Sequence, residues 1–435
     1  MRITTRLNQD QYGWMAENLG SHDDAYVLVD VEAPALPTRE DALPTRLVVV
    51  LDRSGSMSGA RLDHAKRALR QVVEALSPSD SFGLVTFDQH VEVAVNAGPV
   101  TDPAAVLRAV DAVRPGGSTD LAGGLIEGLR QATLLDGDAR VLLISDGHAN
   151  QGVVDPDALQ TFTARHLDRG VTTSTLGMGL GYDETLLGAV SRGGTGEQHF
   201  AEEADTAVGA ITAECGDLAA QRFLQCRLTI VPGSSMAGLQ VVNDVAVHAA
   251  GDGSQVTIGG LRPGDSRSLV LQVSPHTVSR PGRRKVAKVH LDWVFADDLT
   301  EHSASTSVWA RVARPGDPHP QVDRDVTAEV VLQRALRRKR AAVAAMQAGD
   351  TDEVGRIVAN ISRFLSRWQE LIPRNRWDEL LDVDRSAQRL WQQARDGAWE
   401  DQSRIAKLEV MGSARMSRNR DRNRPTPPSR DRGTS

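Results

Sequence analysis

Leu47-Val48-Val49-Val50-Leu51 is an unbroken apolar run, and directly after it the period changes: Leu62, Ala65, Leu69, Val72 and Leu76 recur at steps of three and four. A run that is apolar at every position has no solvent side, so it predicts a strand covered on both faces of a parallel sheet. The steps of three and four predict one buried face of a helix. This strand–loop–helix succession then repeats. Strands are expected at Phe82–Phe87, Val91–Val95, Val141–Ile144, Val171–Leu176 and Gln198–Phe200, and helices at Ala104–Val113, Leu121–Leu134, Leu159–Asp168, Thr185–Ser191 and Thr206–Gln221. Asp88-Gln89-His90 joins two of the strands as a hairpin and places one antiparallel strand at an edge. The alternation implies a doubly wound, mostly parallel α/β sheet over residues 45–221.

The flanks read differently. Residues 1–24 are polar and show no clear period, and Ala25–Val31 reads as a strand within a segment 25–40. From 222 to 313 the period is two: Leu269, Leu271 and Val273, then Val289, Leu291, Trp293 and Phe295, with Pro-Gly and Gly punctuation. That pattern predicts about six antiparallel strands in a β-sandwich. Such a sandwich needs edge partners, and Ala25–Val31 is expected to join it, leaving the α/β region as an insertion. A linker at Arg314–Pro318 leads to a helical bundle over 325–406, broken near Gly349-Asp350 and Pro373. One apolar face is expected from Ile357, Ile361, Phe364, Leu365 and Trp368, a second from Leu380, Leu381, Leu390 and Trp391, and a preceding helix from Val330, Leu336 and Val343. A core this small predicts docking on the sandwich or the α/β region. The basic run Arg334–Arg340 is expected to be a solvated helix face, and the Arg-rich tail 413–435 to be disordered.

The chemistry lies in three polar loops of the α/β region. Asp52-Arg53-Ser54-Gly55-Ser56 follows the first buried strand directly, Gly116-Gly117-Ser118-Thr119-Asp120 precedes a helix, and Ser145-Asp146-Gly147 ends Val141–Ile144. Loops at the carboxyl ends of adjacent parallel strands converge on one crevice, so Asp52, Ser54, Ser56, Thr119 and Asp146 are expected to face a common point. Oxygen-only donors suit a hard cation such as Mg²⁺ or Mn²⁺.

In this order and spacing the residues resemble the metal-ion-dependent adhesion site of von Willebrand factor type A domains, over about residues 45–220. Phe82–Phe87 and Gly116–Leu121 are similar to the inter-alpha-trypsin-inhibitor heavy-chain branch. The resemblance implies that Ser54, Ser56 and Thr119 give hydroxyl oxygens directly and that Asp52 and Asp146 act largely through water. It further implies an open position that takes an Asp or Glu side chain from a protein partner.

Other classes fit less well. The charge sum, 50 Lys+Arg against 57 Asp+Glu, is −7, so no nucleic-acid partner is expected. There is no G-x-x-x-x-G-K-S/T and no zinc-type H-E-x-x-H, and Gly177-Met178-Gly179-Leu180-Gly181 reads as a turn, not as a dinucleotide fingerprint. A metal-dependent hydrolase would need Asp52 and Asp146 to activate a water. His148 is the one nearby base, and reads as a solvated loop residue. The reading is therefore a non-enzymatic, cation-dependent interaction module, with a regulatory or assembly subunit of a separate AAA+ ATPase as the alternative. Two cysteines, Cys215 and Cys226, make no disulfide framework, no stretch of about 18 apolar residues occurs, and the N-terminus has no apolar h-region. A cytoplasmic location is expected.

Overall fold

The computed structural model describes residues 1–12, 25–37, 44–147, 149–180, 182–276, 280–314, 316–397, 406–407, 409, 411–413 and 416. The chain opens with strands β1 (Arg2–Leu7), β2 (Gln11–Tyr12) and β3 (Ala25–Glu32). The alternating region follows: β4 (Arg46–Asp52), α1 (Ala60–Ala75), β5 (Ser81–Phe87), β6 (Val91–Pro99), α2 (Pro103–Ala112), α3 (Leu121–Ala132), β7 (Ala139–Ser145), α4 (Pro156–Ala164), β8 (Val171–Met178), α5 (Glu184–Gly193), β9 (Thr195–Ala201) and α6 (Ala204–Ala219). Its six strands run in the order β6-β5-β4-β7-β8-β9, all parallel except the edge strand β6.

The unbroken apolar run is explained by two cores. Leu47, Val49 and Leu51 face a cluster with Leu62, Leu69, Val110 and Ile211. Val48 and Val50 face the opposite cluster, with Leu121, Leu125, Leu129, Leu187 and Val190. Helix α3 lies close on the sheet because it presents glycine there. A Cβ on Gly128 would come within 2.1 Å of Val50 Cγ2.

The period-two region forms β10 (Phe223–Pro232), β11 (Met236–Val241), β12 (Val247–Ala250), β13 (Gly253–Leu261), β14 (Ser266–Pro275), β15 (Gly282–Phe295) and β16 (Thr300–Val312). These are seven strands where the punctuation suggests about six. With β1–β3 they build two sheets, β1-β3-β14-β11 and β12-β13-β10-β15-β16-β2. One apolar cluster draws on both sheets: Val27, Val29, Leu271 and Val273 from the first, Leu228, Ile230, Val289 and Leu291 from the second. Ala25–Val31 pairs with β1 and β14 and makes no pairing in the α/β sheet. The N-terminal residues are not the patternless segment their polarity suggests. Arg2–Leu7 pairs along β3, and Met1, Ile3 and Leu7 pack on the shared cluster. The alternation is hidden because threonines fill the positions between.

Helices α7 (Arg324–Gln347), α8 (Thr351–Trp368) and α9 (Arg374–Asp396) follow. Gly349, at φ 74°, closes α7, and Asp350 caps α8 through Glu353 N. The start of α7 docks on the first of the two sheets, with Val326 and Val330 against Leu28, Val242 and Val270. The second apolar face of the bundle differs from the expected one. It is Leu380, Val383, Ala387 and Leu390, all buried, while Trp391 is 37 % exposed. Residue 391 lies about 100° around the helix from 390, which carries its indole to the edge of the buried face. The basic run is not a solvated face either. Lys339 is buried and paired with Glu409, Arg340 meets Asp244 at 3.5 Å, and Arg334 and Arg338 lie over the rings of Tyr26 and Phe364. Of that run's five basic residues, Arg337 alone is exposed. In the tail, Ser413 is buried and Met416 packs on the bundle core; the rest of the tail lies outside the described residues.

Candidate metal centre

The three polar loops meet at the carboxyl end of the α/β sheet. Asp52 ends β4 and is fully buried. The chain then turns through a 3-10 helix, Gly55–Met57, with Ser54 as its N-cap residue. Asp52 Oδ1 accepts from Ser54 N at 2.8 Å, and the Ser54 and Ser56 hydroxyls stand 3.1 Å apart. The second loop is clamped on the first. Gly55 N donates to Gly117 O at 2.8 Å and Gly116 N to Arg53 O at 2.6 Å. Gly116 also lets the second loop pack on the hairpin after β5, since a Cβ there would come within 1.7 Å of Asp88 Oδ2. Thr119 is buried, its N–H donating to Asn150 Oδ1 at 2.8 Å.

Asp146 follows β7 and is fully buried. Its neighbour Ser145 donates to Asp52 Oδ2 at 2.6 Å and accepts from Gly147 N at 2.8 Å, linking the first loop to the third. Asp183 N donates to Asp146 O at 3.1 Å, and Arg61 Nη1 reaches Asp146 Oδ2 at 3.1 Å. The 182–184 loop that backs Asp146 is held by the C-terminal segment. Lys407 Nζ is 3.0 Å from both Tyr182 O and Glu184 Oε2, and 4.2 Å over the Tyr182 ring.

Burial pushes the Asp52 carboxyl up to about 6; the Ser145 and Ser54 hydrogen bonds pull the other way, and the charge of Asp146 adds to the rise. A buried carboxylate disfavoured in this way is what a nearby cation would relieve. Among the described residues no group of three His, Cys, Asp or Glu could hold a metal. The donors on offer are two carboxylates and the hydroxyls of Ser54, Ser56 and Thr119, an oxygen-only set that fits a hard divalent cation.

Residues 47–148 match the family profile of the von Willebrand factor type A domain. The chain carries a von Willebrand factor type A domain. This A domain is similar to YfbK of Escherichia coli (strain K12), 29% identical over 193 residues, covering 43% of this chain and 34% of YfbK. It is similar to the inter-alpha-trypsin inhibitor heavy chain H2 of Homo sapiens, 25% identical over 166 residues, covering 36% of this chain and 18% of H2. The chain thus spans about a third of YfbK and under a fifth of H2. The whole architecture recurs in a solved structure, a von Willebrand factor type A protein from Catenulispora acidiphila. That structure is 14% identical with a TM-score of 0.68, over 96% of this chain and 97% of the other.

Ser145, Arg61 and Asn150 escaped the sequence reading. Ser145 sits inside the third polar loop, but its part appears only when β4 and β7 are seen to be neighbours. Nothing in the sequence marks Arg61, which lies in the first turn of a helix. His148 lies outside the described residues. In the Gly177–Leu180 stretch the glycines make room for side chains: a Cβ on Gly177 would strike the Tyr182 ring.

Proposed function

We propose that the A domain of this chain is a cation-dependent docking module. In this reading Ser54, Ser56 and Thr119 hold a Mg²⁺ or Mn²⁺ directly, Asp52 and Asp146 hold it largely through water, and a protein partner supplies an Asp or Glu carboxylate. The observation that supports it most strongly is geometric: the fully buried Asp52 is tied through Ser145 to the loop of the equally buried Asp146. A bound divalent ion supplies positive charge to the open side of that cluster. The protein's own residues do the rest: Ser145 and Ser54 N fix Asp52, Asn150 fixes the Thr119 backbone, and Asp183 holds the Asp146 carbonyl. Neutral direct donors leave the ion much of its charge, which favours an incoming anion. The module is a binder and not an enzyme. It comprises an A domain at 45–221 set into a β-sandwich of 25–40 and 222–313, with a helical bundle at 325–406. A reducing cytoplasmic setting agrees with Cys215 and Cys226 standing as free thiols, both with their pKa pushed up by burial.

Calorimetry tests the cation half. The intact chain should bind one Mg²⁺, and Ser54→Ala/Ser56→Ala should abolish the heat; equal heats would sink the assignment. For the partner half, EDTA and Asp146→Ala should each release a captured partner. Binding indifferent to both would move the interaction to another surface.

A further inference from the structure

Arg61 is a charged residue at this site that the proposed ligand set does not use and that contacts one of its carboxylates directly. Its Nη1 donates to Ser56 O at 2.8 Å and to Asp146 Oδ2 at 3.1 Å, so one guanidinium joins the loops of the first and third motifs. The position is prepared on two sides. Gly59, at φ 76°, turns the chain into α1 and sets Arg61 in its first turn. A basic residue is disfavoured there, because the helix N-terminus is itself positive. Gly179, at φ 77°, lies against the guanidinium, and a Cβ there would come within 2.5 Å of Arg61 Nε. A side chain in an electrostatically poor place, lodged against a left-handed glycine, is not an ordinary solvated arginine. It is still 36% exposed, beside the exposed Ser56.

We propose that Arg61 is a specificity-determining residue of the docking site, weakening the hold on the cation and adding a second contact for the partner's carboxylate. The inference rests on the cation reading above. Asp52 and Asp146 together carry −2, and Arg61 brings the cluster to −1. A divalent ion then leaves it at +1, where without Arg61 it would be neutral. The loaded site is therefore anion-seeking, and a guanidinium fork matches a carboxylate's geometry as a point charge does not. The partner this selects is an acidic peptide segment whose Asp or Glu docks between the cation and Arg61.

The test is calorimetric titration of the full chain with MgCl₂ for wild type, Arg61→Gln and Arg61→Lys. The Mg²⁺-loaded proteins are then titrated with a glutamate-containing peptide, its Gln counterpart as control. Removing one charge a few ångströms from a divalent ion at a half-exposed site changes affinity about tenfold. Arg61→Gln should thus bind Mg²⁺ about tenfold more tightly and the acidic peptide more weakly, while Arg61→Lys should keep the Mg²⁺ affinity and lose peptide affinity. Arg61→Lys keeps the proposal open to refutation if Arg61→Gln does not fold. Mg²⁺ binding that is equal or weaker in Arg61→Gln, or peptide binding unchanged in both variants, overturns the inference and leaves the cation site standing. No Mg²⁺ heat in any of the three overturns the cation reading and the inference together.

Discussion

Beneath the A-domain sheet, at the end away from the three loops, Glu214 of α6 is buried with its charge. Its carboxylate pairs with Arg140 of β7, meets His199 Nε2 of β9 at 2.6 Å and accepts from Ser174 Oγ of β8 at 2.8 Å. Burial alone would raise this carboxyl, but Arg140 and His199 outweigh it and hold it at about 2, against an ordinary 4.5. At 1.36 kcal/mol per unit, a shift of this size corresponds to about 3 kcal/mol of stability at neutral pH. Breaking a buried ion pair from one side independently costs about 3–5 kcal/mol. Glu214→Gln should therefore destabilise the A domain by about 3 kcal/mol and, at about 2–4 °C per kcal/mol, lower its melting temperature by about 6–12 °C at pH 7. The sign of the pH dependence follows from the lowered pKa. Unfolding takes up a proton, so the contribution is complete above about 4.5 and is lost as pH falls toward about 2. The gap between wild type and variant should narrow below pH 5. Differential scanning calorimetry between pH 7 and pH 3 measures both effects. A variant melting within about 2 °C of wild type at pH 7, or a gap independent of pH, would refute the argument.

Two glycine-to-alanine changes should have opposite signs. Gly128→Ala meets Val50 Cγ2 and should cost about 1–3 kcal/mol despite its better helix propensity, whereas Gly209→Ala in α6, with nothing within 4 Å of its Cβ, should stabilise by up to about 1 kcal/mol; urea unfolding reads both, and equal signs would contradict the packing account. Lys407→Met removes the buried charge that holds Tyr182 O and Glu184 and should cost about 3 kcal/mol, with faster amide exchange in the 182–184 loop; unchanged exchange there would mean that the C-terminal segment does not brace the Asp146 side of the site.

The A-domain fold was legible because its strands carry their burial in composition. Leu47–Leu51 has no polar position, and its alternate residues supply two different cores. The meeting of the three loops was legible to the same extent, since Asp52 ends β4, Asp146 follows β7 and Thr119 lies in the loop before α3. Contacts between elements were less so. Ser145 supports Asp52 only because β4 and β7 are adjacent, and Arg61 reaches Asp146 across 85 positions of sequence. Residues 1–12 were obscured because their apolar positions are few and the strand is completed by partners 20 or more residues away, as in Arg2 against Glu32. The bundle's second face was misread for a simpler reason. Adjacent Leu390 and Trp391 look like one apolar patch in sequence, but a helix turns them apart, and the Trp391 indole lies over Gly355 while Leu390 enters the core.

The proposed cation would sit where the three loops meet. The most direct measurement is an anomalous difference map from crystals of the intact chain grown with MnCl₂. One strong peak is expected at coordination distance from the hydroxyls of Ser54, Ser56 and Thr119, lost in Ser54→Ala/Ser56→Ala crystals. No peak there at saturating Mn²⁺, or a peak that survives the double substitution, would contradict the proposal.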